Sequence, residues 1–204
     1  MELSDGDRVR LSAAIRAAEA RTTGEIVCVL AQSSSVGRTA LPVALAAVLA
    51  LAVPWLLMVL TALSLQLILS IQVAAFLAGV AVAGLPRVQA ALMPRPMRRA
   101  LAHRAAMEQF VIRGIARTRQ RTGILVFVSL AERYARIIAD DGIAARVPKA
   151  EWQGAVDALI AHTREGRVAD GFIAAIESCG KVLATHFPSS GGGEDELPDR
   201  IYLI

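Results

Sequence analysis

The chain has 204 residues, a formal net charge of +4 and 55% hydrophobic residues. The hydrophobic content is uneven, because residues 39–86 contain no Asp, Glu, Lys, Arg or His. Outside that segment about 155 residues remain, which is enough for one ordinary domain. With only Cys28 and Cys179 present, we expect two free buried thiols in a reducing compartment, and a disulfide between them is the alternative.

The chain begins with the pattern of a capped helix followed by a buried strand. Ser4 and Asp7 have the spacing of a capping box, which predicts a helix that ends near Arg21. Thr22–Gly24 then stops the helix. The next run, 25–30, is short, rich in β-branched residues and apolar on both faces, which is typical of a central strand.

The uncharged segment 39–86 is long enough for two membrane crossings, since one crossing needs about 20 apolar residues. Its one polar interruption is Ser64–Gln66. We therefore predict a helical hairpin with spans over Leu41–Leu63 and Leu67–Leu85. The alternative is a helical pair buried in a soluble core, but the flanking sequence offers too little apolar surface to cover it.

Positive charge is concentrated beside the predicted spans. Residues 86–121 carry nine arginines and one acid, Glu108, and Arg38 precedes the first span. Because Lys and Arg near span ends stay on the cytoplasmic side, both termini are expected in the cytoplasm. The N-terminus has no basic region followed by an apolar one, so no signal peptide is predicted. The predicted location is the inner membrane, with two spans.

After the hairpin the pattern returns to that of an α/β domain. A long helix is predicted over 97–121, followed by a strand over 124–129 and a strand over 134–139. Two amphipathic helices follow over 148–165 and 168–187, with Gly166 between them. Residues 189–204 are expected to form a flexible acidic tail whose apolar end, Ile201–Ile204, docks as an edge strand.

This order of elements predicts an α/β fold with a small mixed sheet. The first two strands should be parallel, because a helix lies between them, and the third should pair antiparallel with the second. The hairpin is then an insertion, and residues 1–38 and 87–188 form one discontinuous cytoplasmic domain.

Three separated segments resemble the TPM domain family in its predicted membrane-protein branch. They are TGEIVCVL, the long run RAAMEQFVIRGIARTRQRTGILVFVSLAERYARIIADDGIAARVPKAEWQ, and DGFIAAIESCGKVLATHFP. The resemblance implies an α/β/α sandwich. It also implies two kinds of activity, since some members resemble acid phosphatases and another is an accessory protein of an ion channel.

Geometry predicts one candidate site at the carboxyl ends of the parallel strands, near Leu30 and Ser129. Glu132, Arg133, Arg98 and Arg99 are expected to line a ligand- or anion-binding cleft there, which faces lipid headgroups and in which the arginines donate to the anion. The alternative is that Glu132 and Arg133 cap a hairpin turn while the arginines lie among anionic lipids, and this alternative is favoured.

Asp140 and Asp141 form a second candidate site. Paired carboxylates can bind a divalent cation or transfer protons, so both residues are candidate catalytic and metal-binding groups. The sequence Asp-Asp-Gly is also common turn chemistry, and that interpretation is favoured. The three histidines lie far apart in the sequence and near no cysteine, so no metal site is predicted from them.

The sequence therefore indicates a membrane-tethered TPM-like domain that acts as an interaction or accessory module. Its expected partners are a bilayer with anionic headgroups and a membrane protein, and the basic helix end is not expected to bind nucleic acid. The alternative is an acid phosphatase-like phosphoester hydrolase. The sequence leaves open whether the protein is an enzyme, and the only cofactor it raises is a divalent cation.

Overall fold

The computed structural model describes residues 3–34, 40–61, 63–85, 88, 94–189 and 196–204. The chain divides into two compact units. Residues 1–32 together with 102–204 form the α/β unit, and residues 33–101 form the helical unit. The predicted domain limits at residues 38 and 87 stay a prediction.

The α/β unit begins with helix α1, Asp5–Glu19, and strand β1, Glu25–Ala31. The predicted capping box is confirmed, since the Asp7 amide donates to Ser4 Oγ at 3.1 Å and the Ser4 amide donates to Asp7 Oδ2 at 3.3 Å. Every residue of β1 is buried, as a strand in the middle of a sheet should be.

The sheet contains four strands in the order β3-β2-β1-β4. Strand β2, Gly123–Ser129, pairs in parallel with β1, and β3, Tyr134–Ala139, pairs antiparallel with β2. Both pairings were predicted and are confirmed. Strand β4, Ile201–Leu203, pairs in parallel with β1, which confirms that the apolar end of the tail is an edge strand. The acidic stretch 190–195 lies outside the described residues.

Alternation along the strands divides the core into two layers. Ile26, Cys28 and Leu30 pack with one group of helices, whereas Val27 and Val29 pack on the opposite face of the sheet. The first layer contains α1 and two helices given below, and the second contains residues of α4, Arg95–Ile112. The fold is therefore mixed α/β with helices on both faces of the sheet. Cys28 and Cys179 are free and buried, as predicted.

Helix α4 ends earlier than the sequence indicates. A single helix was predicted over 97–121, but α4 ends at Ile112 and a 3₁₀ turn follows over Ile115–Arg117. Gly114 between them has φ +71°, a left-handed conformation that a continuing helix does not allow. The turn brings Ile115 against β2, where a Cβ added to Gly123 would lie 2.5 Å from Ile115 Cγ2. Packing against the sheet thus replaces the last predicted helical turns.

Three helices complete the α/β unit after β3. Helix α5, Asp141–Ala144, is short, and a 3₁₀ turn over Lys149–Trp152 leads into α6, Gln153–Arg164. Helix α7, Val168–His186, lies within one residue of its predicted range. Gly166 between the last two helices has φ +81°, consistent with its predicted role of ending α6.

The helical unit contains α2, Ala40–Leu60, and α3, Leu65–Ala83. The two helices contact each other closely, since a Cβ added to Gly79 would lie 3.0 Å from the Cβ of Ala46. Among the described residues α3 is the one helix that is long and apolar enough to cross a membrane, with a mean hydropathy of 2.1. The apolar stretch found in α2 is shorter, Ala46–Leu60. Arg38 and Arg87, which flank the predicted spans, lie outside the described residues.

Candidate functional site

Asp140 and Asp141 lie at the end of β3 and share one arginine. Arg121 Nη2 contacts Asp140 Oδ1 at 2.9 Å and Asp141 Oδ2 at 2.7 Å. Asp140 also caps α5, because its Oδ1 accepts the Asp141 amide at 2.8 Å. These contacts give Asp140 a structural role of the kind that the turn interpretation expected.

The two carboxylates differ in their environment. The Asp140 side chain is 2% exposed and the Asp141 side chain is 90% exposed. Asp140 Oδ2 is buried, and no hydrogen-bond partner for it occurs among the described residues. In the same part of the chain, no group of three or more His, Cys, Asp or Glu side chains is arranged to hold a metal ion. A catalytic or metal-binding role for the pair stays a prediction.

Ser129 and Glu132 meet at the carboxyl end of β2, where the sequence predicted a site. Ser129 Oγ donates a hydrogen bond to Glu132 Oε2, and both residues are buried. Arg133 is exposed and has φ +51°, a left-handed conformation that ends the turn before β3. Glu132 is therefore a buried acceptor rather than a solvated turn residue, which the local sequence did not indicate.

The other two predicted anion-binding residues belong to the helical unit. Arg98 and Arg99 lie in the first turns of α4, before the division at residue 102. The predicted anion site combines side chains from both units, so it stays a prediction.

A groove of about 580 Å³ follows the outer edge of β3 in the α/β unit. We call it the β3 groove; it is lined by β3 itself, by His103 and Met107 of α4, and by the segment from Ala144 to Val156. Trp152 contributes a largely buried indole, and Arg136 and Lys149 are exposed cations. The sequence did not indicate this groove, because its walls come from segments that are far apart in the chain.

Two buried polar atoms lie in the wall of the β3 groove. His103 Nδ1 and the hydroxyl oxygen of Tyr134 have no hydrogen-bond partner among the described residues. Burial lowers the pKa of His103, and the positive charge of Arg136 lowers it further. The imidazole therefore favours its neutral form, in which one ring nitrogen donates and the other accepts.

A third polar cluster attaches the C-terminal segment to the sheet. Glu25 accepts hydrogen bonds from the Glu196 and Leu197 amides, each at 3.3 Å, and Glu19 Oε1 accepts the Ile26 amide at 2.6 Å. Burial raises the pKa of Glu19 to about 10, and a hydrogen bond with Asp199 contributes to the rise. A protonated Glu19 can donate to Asp199 Oδ1, which is buried and otherwise lacks a donor among the described residues.

The fold and these features define a small mixed α/β domain with a four-stranded sheet and an inserted pair of apolar helices. A family model for the TPM domain, named TPM phosphatase, matches residues 97–182. The match confirms the resemblance found in the sequence over residues 97–182, a segment that is similar to the TPM domain. The matched range includes β2, β3, α5, α6 and the part of α7 up to residue 182.

One solved structure supports the fold over the full length. It is the NMR structure of the BA42 protein from the psychrophilic bacterium Bizionia argentinensis, with a TM-score of 0.64 and 20% sequence identity. The similarity covers 100% of this chain and 96% of that chain. At this identity the likeness concerns the fold alone. Among curated proteins, none matches this chain.

Proposed function

We propose that this protein is a membrane-tethered TPM-like domain that acts as an interaction or accessory module at the inner membrane. The observation that carries the proposal is the exposure of α3, Leu65–Ala83. Its most apolar window has a mean hydropathy of 2.1, yet only 6% of that window is buried within the protein. Apolar side chains along a whole helix need an apolar environment, and a lipid bilayer supplies one.

A soluble core helix is the main competing explanation for so apolar a sequence. Such a helix would be mostly covered by its own chain, whereas Leu77 is 62% exposed and Val73 is 58% exposed. Helix α2 has the same character, since Trp55 is 74% exposed and Val59 is 82% exposed. This exposure favours lipid over a protein core as the surroundings of both helices.

The lengths of the helices support the proposal of two spans. Helix α2 has 21 residues, so at 1.5 Å per residue it is about 31 Å long, and α3 has 19 residues. Each approaches the thickness of a hydrocarbon core of about 30 Å. The arginines after α3 support a cytoplasmic location for both termini and contact with anionic headgroups. They include Arg95, Arg98, Arg99 and Arg104.

The membrane location is tested by carbonate extraction of the full chain and by reporter fusions at both termini. The wild-type protein should stay with the membrane, and both reporters should report the cytoplasm. Replacing Val73 and Leu77 together by Lys should release the protein, because two charges near the middle of a span are costly. Replacing exposed Val9 of α1 by Lys is the matched control and should change nothing. A wild-type protein found in the soluble fraction contradicts the proposal.

The interaction role is tested by crosslinking in intact membranes followed by purification in several detergents. A module of this kind should co-purify with a membrane protein and should show no catalytic turnover of its own. Recovery of this chain alone under every condition would count against the role.

A phosphoester hydrolase is the second candidate, supported by the name of the matched family model. Its residues would be Asp140 and Asp141, with Arg121 as the adjacent cation. This candidate predicts release of phosphate from a generic phosphoester, with or without Mg²⁺ or Ca²⁺, and loss of release in Asp141→Asn. Because Asp141 is exposed, that variant should fold normally, so the assay separates chemistry from stability. Absence of hydrolysis by the wild-type protein eliminates this candidate.

A further inference from the structure

The outer edge of β3 carries hydrogen-bonding groups that no described strand uses. In the order β3-β2-β1-β4, β3 has a partner on one side, and no further strand pairs with it among the described residues. The Asp140 amide donates to the Gly123 carbonyl at 2.9 Å, which sets the alternation of the antiparallel ladder. By that alternation Ala135, Ile137 and Ala139 direct their amides and carbonyls away from β2. These three residues can receive an added strand.

The β3 groove has the shape that an added strand requires. Helix α4 borders it on one face of the sheet through His103 and Met107, and the segment around Trp152 and Val156 borders it on the other. A strand paired with β3 would direct alternate side chains to these two walls. The volume of about 580 Å³ suits a short extended segment rather than a whole domain.

The charges of the β3 groove indicate what kind of segment it accepts. Arg136 and Lys149 are exposed cations, and the residues that line the groove include no Asp or Glu. Tyr134 and neutral His103 add polar atoms that lack hydrogen-bond partners among the described residues. On the opposite wall, Trp152 supplies an apolar surface. An extended segment that contacts both walls must therefore carry hydrogen-bond acceptors and apolar side chains at alternate positions.

We propose that the β3 groove binds an extended acidic peptide segment of a partner protein, which adds to β3 as a fifth strand. Main-chain hydrogen bonds to Ala135, Ile137 and Ala139 supply the common part of the affinity, and side-chain pockets supply selectivity. Carboxylates of the segment face Arg136 on the α4 side, and its apolar side chains face Trp152 on the other. The inference deepens the proposed interaction role by giving the chemistry of the partner, and it does not depend on the membrane helices.

A second copy of this chain fits the groove less well. Antiparallel pairing of two β3 strands would place the two Arg136 side chains directly opposite or diagonal to each other, within reach of mutual repulsion. Lys149 would add a further positive charge from each copy. An acidic segment removes this repulsion, so charge complementarity favours a partner over self-association.

The experiment uses the full chain in detergent with Trp55→Phe, which leaves Trp152 as the single tryptophan. The probes are acetyl-Glu-Val-Glu-Val-Glu-Val-amide and the same peptide with Lys in place of Glu. The acidic peptide should change the Trp152 emission saturably and bind at least tenfold more tightly than the basic one. Two further acidic peptides carry N-methyl groups on one or the other alternate set of amides. Only the peptide whose methyl groups lie on the amides that face away from β3 should bind.

Charge reversal provides the test on the protein side. Arg136→Glu should abolish or reverse the preference for the acidic peptide, and Arg164→Glu on the exposed face of α6 is the matched control that should leave it intact. Equal affinity of the wild-type protein for the acidic and basic peptides overturns the proposal. So does an acidic peptide whose affinity is the same whichever set of its amides is N-methylated. A homodimer that the acidic peptide displaces would also overturn it and assign the edge to a second copy. Crosslinking to a membrane partner through α2 and α3 would be unaffected by any of these failures.

Discussion

Arg121 and Asp140 form an ion pair in which Arg121 Nη2 lies 2.9 Å from Asp140 Oδ1, and the Asp140 side chain is only 2% exposed. The arginine precedes β2 and the aspartate follows β3, so the pair fixes adjacent ends of two neighbouring strands. Arg121 adopts φ +56°, a left-handed conformation that non-glycine residues rarely take. The contact therefore links a strained turn to a buried carboxylate.

Replacement of Asp140 tests this structural role. Asp140→Ala removes both the buried partner of Arg121 and the cap of α5, so it should lower the free energy of unfolding by about 2–4 kcal/mol. Asp141→Ala is the matched control; its exposed carboxylate should contribute no more than about 0.5 kcal/mol. Chemical denaturation of the two variants provides the comparison. Equal free energies of unfolding for the two variants would show that the Arg121–Asp140 pair does not stabilise the adjacent ends of β2 and β3.

Gly142 tests the close approach of α5 to the turn at Arg121. A Cβ at position 142 would lie 2.6 Å from the Arg121 carbonyl oxygen and 2.7 Å from that of Gln120. Gly142→Ala should therefore destabilise the protein by about 2 kcal/mol or more. Gly154→Ala is the control, because no atom lies within 4 Å of its added Cβ and the residue is in α6. That variant should gain about 0.5–1 kcal/mol from helix propensity, as measured by the same denaturation.

Glu19 predicts a dependence of stability on pH. Its pKa rises from 4.5 to about 10 in the folded protein, chiefly because of burial, with contributions from Asp199 and Glu25. The folded state thus binds a proton that the unfolded state releases above pH 4.5. This contribution is fully present below that pH and is lost as the pH rises towards 10.

Glu19→Gln should remove this dependence. A neutral amide can accept the Ile26 amide hydrogen and donate to Asp199 without taking up a proton, so the variant should be more stable than wild type at pH 8 by on the order of 1–3 kcal/mol. At pH 4.5 the two proteins should differ little. Thermal unfolding of both proteins at pH 4.5 and pH 8 provides the comparison. If the stability difference between wild type and Glu19→Gln is the same at the two pH values, Glu19 is not protonated in the folded protein.

Gly79 tests the packing of α2 against α3 inside the helical unit. The space at Gly79 is closed by Ala46, whose Cβ would lie 3.0 Å from an added Cβ. Gly79→Leu should separate the helices and cost about 1–3 kcal/mol, because small residues allow such close packing. Ala78→Leu, one residue away on an exposed surface, should be tolerated. Hydrogen exchange of residues 40–83 in detergent should show faster exchange in the first variant alone.

Much of the fold could be predicted because it depends on short-range pattern. The doubly apolar runs at β1 and β2 indicated central strands, and the helix between them indicated parallel pairing, as observed. The short turn before β3 indicated an antiparallel neighbour. These features depend on residues within one element or one connection, so neighbouring residues in the sequence are sufficient to reveal them.

The candidate site could be predicted only in part. Asp140, Asp141 and Glu132 were identified from residue type and their expected position at strand ends. Their environments were not, because burial and the contact with Arg121 depend on how separate elements pack. The early end of α4 was missed for the same reason, since contact of Ile115 with β2 outweighs local helix propensity.

The sequence by itself determined the order of the elements, the apolar helical insertion and the resemblance to the TPM domain family. Hydrophobic period and residue type are local properties, and they specify which segments are helices, strands or apolar spans. Only the tertiary structure decided that β4 pairs with β1 in parallel, that Glu132 is buried, and that no described strand pairs with the outer edge of β3. The groove beside a strand edge is formed by residues that are far apart in the chain. A local sequence pattern therefore cannot predict it.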